Sequence, residues 1–528
     1  MMKKYNTENK MHVNKFVFYS SAIISILLTL FMGLFPKLAE RGLIIAQQFV
    51  SHYFGWFYML VMIICLVFVF WLAFSKYGAL RLGPDNEKPD FSYLSWVSML
   101  FSSGIGIALL YFGAYEPLHH FLNPPTVSTE DKISLAQAAM AQTFLHWGLH
   151  GWALYGLMAV SMGYFTYRRN LPLALRSVLH GLLGNRYDGW MGNMVDAFAI
   201  IATLIAMVTN LGIGALVCLA GLNYLFDLPE SPIILVCLVI FMMLVATFAA
   251  VSGVEKGIAW LSNFNVRLLC VFLFFVFITG PTSLLLDGFI QNTGNYIGFL
   301  LPKSFEMYLF NEEGKAWSGM WTIFYWAWWI AWAPFVGMFI ARISKGRTIK
   351  EVILGVLLIP LGFTLAWLSI FGNTALNLVL SSENALILDA VINDPPMVLF
   401  RLLENLPFTT FMSAVTTVIS FMLFLTPVDS GTLMIANLSM RFEGEFKDSA
   451  IWMRVFWAIT TTAISIGLLL VGNFSTIQMA VVLCGLPFSI VIVLYMISLR
   501  KALFEDIKAN EQLSDVNDIR PLKTVISK

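Results

Sequence analysis

The chain has 528 residues, of which 59% are hydrophobic and only 12% charged, too few charges for a surface facing water on every side. Its formal net charge of +1 gives no electrostatic basis for binding nucleic acid or an acidic partner, which leaves a lipid bilayer as the expected surroundings. The five cysteines, Cys65, Cys218, Cys237, Cys270 and Cys484, all lie in apolar stretches without zinc or disulfide spacing.

A spanning helix needs about 20 apolar residues. Twelve stretches meet that need, at roughly 16–36, 54–74, 93–121, 138–166, 192–226, 232–253, 258–287, 318–341, 351–377, 407–437, 450–471 and 474–499. The first is longer than the apolar part of a signal peptide and lacks a small-residue cleavage site, so it reads as a retained helix. The alternating pattern of a membrane β-barrel is absent. The expected fold is an all-α polytopic membrane protein: a tail at 1–15, a twelve-helix domain at 16–500 and a second tail at 501–528. Basic residues such as Lys3, Lys4, Lys76, Arg81, Arg168, Arg169, Arg342, Lys345, Arg347 and Arg500 fall in alternate loops and both tails, which places both termini on the cytoplasmic side. The intervening loops 288–317 and 378–406 are long enough for surface helices.

The third span carries Ser102-Ser103-Gly104-Ile105-Gly106-Ile107-Ala108, whose glycines weaken a helix at mid-membrane depth. The eighth carries Trp332-Ala333-Pro334-Phe335, where proline removes a backbone donor. Interrupted helices in corresponding halves point to a site where freed backbone groups meet a ligand, although small residues also serve close helix packing. At about 100° per residue, Trp328, Trp329 and Trp332 cover one face of the eighth span, and Trp147, Trp152 and Tyr155 share one face of the fourth. Two aromatic walls suit a quaternary ammonium group, which has no hydrogen-bond donor and spreads its charge over methyl groups. The plain alternative is an interfacial tryptophan belt, which fits Trp321 near a helix end better than the other three.

Ionisable residues at membrane depth are functional candidates. Arg267 in the seventh span and Asp429 in the tenth are two such residues, whereas Glu116, His119 and His120 are placed at the outer interface. His146 and His150 share a helix face but show no intervening Glu and no third ligand, so neither a metal site nor any cofactor is expected. Walker, dinucleotide and nucleophile-elbow motifs are also missing, which argues against an enzyme.

The tryptophan-rich string from Trp321 to Gly337, the run Ala341 to Thr348 and the run Phe144 to Trp152 together resemble the betaine/choline/carnitine transporter family, over about 16–500. The resemblance implies two inverted five-helix repeats, spans 3–7 and 8–12, a homotrimer in a bacterial inner membrane, and secondary transport of a trimethylammonium compound. It implies an aromatic box of Trp147, Trp152, Tyr155 and Trp329, with Trp328 and Trp332 beside it and Gly104, Gly106 and Ala108 facing the substrate. Sodium-coupled members use hydroxyl pairs where this chain has Thr426-Pro427 and Thr203 with Met207, so both sodium sites are incomplete here. Arg267, Phe335 and Asp429 complete the region assigned to coupling, with Arg267 expected to stand in for a sodium ion. Many choline carriers of this kind place an Asp where Ala108 stands, so choline and glycine betaine both remain open, with sodium-independent and proton-coupled import as the leading expectation. A carnitine-type exchanger and an osmotically gated channel or sensor are the alternatives.

Overall fold

The computed structural model describes residues 10–103, 106–126, 131–229, 231–251, 255–443 and 449–524. Its principal helices are α1 (Lys15–Leu34), α2 (Pro36–Phe74), α3 (Tyr93–Ser103), α4 (Ile107–Leu122), α5 (Lys132–Trp147), α6 (Leu149–Gly163), α7 (Trp190–Phe226), α8 (Pro232–Val251) and α9 (Glu255–Thr279). They continue as α10 (Thr282–Ser304), α11 (Glu312–Met320), α12 (Thr322–Ile343), α13 (Ile349–Ser382), α14 (Ala385–Asn393), α15 (Val398–Leu403), α16 (Thr409–Leu438) and α17 (Ile451–Thr524). One short antiparallel pair, β1 (Lys10–Val13) with β2 (Met440–Glu443), ties the start of the described chain to the end of α16.

The helix ends follow local chemistry. The side chain of Asn14 caps α1 by accepting from the amide of Val17. Thr348 and Glu351 form a reciprocal capping box at the start of α13. Asp131 caps α5, and hydrogen bonds from the Ser134 hydroxyl and the amides of Ile133 and Ser134 hold its carboxyl below the usual range.

Eight helical segments of the described residues are long and apolar enough to cross a membrane, and the bent pair formed by α9 and α10 makes a ninth. The other three expected spans exist as interrupted or shorter helices: α3 with α4, α5 with α6, and α8. The expected break in the first half therefore occurs, but the eighth span does not break. Pro334 sits inside an uninterrupted α12, so the two halves are not interrupted alike. The eleventh and twelfth spans, Ile451–Gly472 and Phe474–Lys508, belong to one helical run, which continues to Thr524 through most of the expected polar tail.

The long α7 is the most enclosed of these spans: 89% of its most apolar stretch is buried, against 33% for α1. The outer faces of peripheral helices instead expose Ile233, Phe248 and Val271, as a lipid-facing surface requires. Between α9 and α10 the chain turns through 111°, which lays α10 across the bundle in the loop expected to hold a surface helix. Basic residues gather with the C-terminal segment at one end, where Arg168 meets Asp85 at 2.7 Å, Arg169 meets Asp506 at 2.8 Å and Lys345 meets Glu87 at 3.1 Å.

Candidate functional site

A cavity of about 130 Å³ opens where α4, α5, α6, α7, α12 and α16 converge. Gly106, Ala108, Trp147, Trp152, Tyr155, Trp328, Trp329, Trp332, Phe335 and Pro427 line it, joined by Leu109, Asn210, Tyr325 and Val336. None of these residues carries a charge at neutral pH, and Asn210 is the only amide side chain among them.

The helix breaks build the aromatic wall. α5 ends at Trp147 and α6 begins at Leu149, so carbonyls in the last turn of α5 have no helical partner. One of them, that of His146, accepts from Trp329 Nε1 at 2.9 Å. The freed amide of Leu149 donates to the Tyr296 hydroxyl at 2.8 Å. At Gly151 a Cβ atom would lie 2.2 Å from the indole of Trp329, so only glycine lets that ring lie against α6. Ring centroids of Trp329 then fall 4.9 Å from Tyr155, 5.3 Å from Trp152 and 6.3 Å from Trp147. On the first-half side Gly106 is the N-cap residue of α4 and has no side chain to cap it, which leaves early backbone amides of that helix beside the cavity.

Not all expected site residues arrive there. Gly104 lies outside the described residues, as do the side chains of Thr426 and Asp429, whose backbones belong to α16. Thr203 and Met207 are both fully buried on α7. The sulfur of Met207 fills the space against Gly431 of α16, where an added Cβ would come within 2.4 Å of it. Arg267 is the clear correction: it sits on an exposed face of α9 and so does not take the place of an ion inside the bundle. Helical register explains the difference, since Asn265 on the same helix faces inward and is 3% exposed.

Two further expectations change. Trp321 is buried against His119 and His120, with ring centroids 4.6 Å away in both cases, and is not part of an interfacial belt. Glu116 and His120 are buried too, because His146 and Trp147 of α5, Trp317 of α11, and Trp321 and Tyr325 at the start of α12 pack over that end of α4. Glu116 accepts from Trp147 Nε1 at 2.8 Å and from the Tyr325 hydroxyl, and pairs with His146 Nδ1 at 2.7 Å. His146 and His150 gain no third partner as a pair, but Glu116, His120 and His146, a grouping without His150, offer ligand atoms within 4.8 Å of one another. A 2.7 Å contact between Nδ1 and Oε1 is, however, a direct hydrogen bond. His150 instead meets the Ser304 hydroxyl at 3.0 Å. The signal that was available for Glu116 was its acid in an apolar span, a rare and costly choice.

The model of the betaine/carnitine/choline family of transporters matches residues 16–508. The chain belongs to this family. It is 59% identical over 496 residues to the osmo-independent choline transporter BetT1 of Acinetobacter baylyi, covering 94% of each chain. It is also 41% identical over 492 residues to the glycine betaine transporter of that organism, covering 93% of this chain and 74% of the relative. With the high-affinity choline transport protein of Escherichia coli it shares 38% identity over 517 residues, 98% of this chain and 76% of that one. This family member is a multi-pass membrane transporter of quaternary ammonium compounds, and not an enzyme.

Proposed function

We propose that the chain imports choline through the aromatic cavity, independently of sodium and driven by protons. The observation that carries this reading is a buried cavity walled by Trp147, Trp152, Tyr155 and Trp329, with no charged side chain among its lining. Such rings attract a cation through their electron-rich faces without demanding hydrogen bonds from it. The Asn210 amide is the group available to a hydroxyl. The high identity to a choline transporter supports the same substrate. Glycine betaine is the second reading, favoured by the uncapped start of α4, where backbone amides suit a carboxylate.

Sodium independence rests on ligand chemistry. Sodium is a hard cation that takes oxygen ligands, by the same logic that gives carbonyl and carboxylate oxygens to other hard ions, and the thioether of Met207 and the ring of Pro427 offer none. The end of the bundle rich in Arg168, Arg169, Lys345 and Arg347 supports a cytoplasmic placement of both termini in a bacterial inner membrane. A homotrimer completes the reading, on the resemblance to the family.

Purified protein in liposomes decides the matter. Labelled choline should enter when an inside-alkaline gradient is imposed with sodium wholly replaced by potassium. Uptake that collapses without sodium and rises steeply with it would sink the coupling assignment. Uptake of neither choline nor glycine betaine under any gradient would sink the substrate assignment.

A further inference from the structure

Directly behind the aromatic wall, the carboxylate of Glu116 is fully buried. Its Oε1 accepts from His146 Nδ1 at 2.7 Å and from His120 Nε2 at 3.2 Å. Its Oε2 accepts from Trp147 Nε1 at 2.8 Å and from the Tyr325 hydroxyl. An ionised carboxylate has about four lone-pair sites and no donor, so four donors saturate it, whereas a protonated acid would have to displace one of them.

The two histidines do not cancel this charge. His120 Nδ1 is buried with no partner among the described residues, so a proton there would be an orphaned buried donor. His146 Nε2 lies 3.0 Å from the Thr322 hydroxyl, which donates to the one lone pair of the neutral ring, while the Gln142 amide nitrogen, also 3.0 Å away, donates to Thr322 Oγ1 at 3.5 Å. The remaining titratable neighbours are Tyr115 and His119 on α4 itself, while α13 packs against that helix with the uncharged Trp367, Phe371 and Gly372. The cluster therefore holds one net negative charge.

We propose that Glu116 is a fixed counter-charge that makes a neutral aromatic cavity prefer a cation to an uncharged molecule of the same shape. The inference rests on the reading that this cavity binds choline. Trp147 and Tyr325 both line the cavity and both donate to Glu116, so the charge lies one ring behind the ligand. These hydrogen bonds also push electron density into the two rings, which strengthens their hold on a cation. Glu116 touches no substrate atom and acts through those rings, as a positioning and electrostatic residue.

The test separates charge from shape, using choline and 3,3-dimethylbutan-1-ol, its uncharged carbon isostere, on the reconstituted full-length protein. Across one ring width, at an effective dielectric near 20, a unit charge is worth a factor of ~10 to 30 in affinity. Glu116→Gln should weaken choline by about that factor and leave the isostere unchanged, and Glu116→Asp should keep the preference for choline. A merely structural role would weaken both ligands alike, which would overturn the proposal. So would a Gln variant with unchanged choline affinity whose uptake no longer responds to a pH gradient, since Glu116 would then be a proton carrier. Should Glu116→Gln fail to fold, His120→Lys keeps the carboxylate and cancels its charge. Loss of the choline preference in that variant supports the proposal and its retention refutes it. Wild-type protein that binds no quaternary ammonium at all would refute the transport reading instead.

Discussion

Trp329 is held at three points: its indole N–H donates to the His146 carbonyl, its face lies over Gly151, and its ring meets Trp152 and Tyr155. Because the surrounding wall keeps the ring in place, its removal should cost affinity more than folding. A cation–π contact with a desolvated cation is worth about 2 kcal/mol, so Trp329→Leu is expected to raise the choline Kd roughly 30-fold. Trp329→Phe, which keeps a π face, should lose less, and equilibrium binding to purified protein compares the two. Unchanged affinity in well-folded Trp329→Leu would remove this ring from the site. Ala108, on α4, also lines the cavity and is 7% exposed. A carboxylate introduced there attracts choline and repels the carboxylate of betaine, so Ala108→Asp should shift the ratio of their affinities towards choline. Equal changes for both ligands, measured in competition, would count against it.

At the scale of helices, the junction of α5 and α6 makes the wall possible. Gly151 itself does not line the cavity, yet a methyl group there would overlap the Trp329 ring. Gly151→Ala should therefore weaken choline binding several-fold while the protein still inserts and unfolds cooperatively, as binding and thermal-melt measurements can show. Binding equal to wild type would mean that the ring relocates freely. The sequence made this wall legible because three of its residues repeat on one face of α12 and three lie within nine positions of the α5–α6 region, although the break at Gly148 means that helical periodicity joins only Trp152 with Tyr155 there. Tyr325 and Asn210 were not legible as site members, and Glu116 stood out as an acid but without its partners, since these roles depend on which distant helix faces them. A proline inside a helix is ambiguous from sequence: Pro334 and Pro117 both leave their helices uninterrupted. Arg267 failed for a related reason, because a shift of two residues along α9 separates the inward Asn265 from an exposed position.

For the whole molecule, the absence of charge from the cavity lining sets the electrical character of transport. The ionisable groups nearest the cavity belong to the scaffold and do not cross with the substrate, so choline itself brings the moving charge of the binding step. A membrane potential of 100 mV, negative inside, does about 2.3 kcal/mol of work on one elementary charge, close to 50-fold accumulation at equilibrium. Choline uptake into liposomes should thus rise when a potassium diffusion potential, negative inside, is imposed with no pH gradient. Zwitterionic betaine, carrying no net charge, gains nothing from the same field unless a proton travels with it. The ratio of the two voltage responses consequently counts the charges moved per cycle, and turns an uncharged pocket into an electrical measurement of what accompanies the substrate.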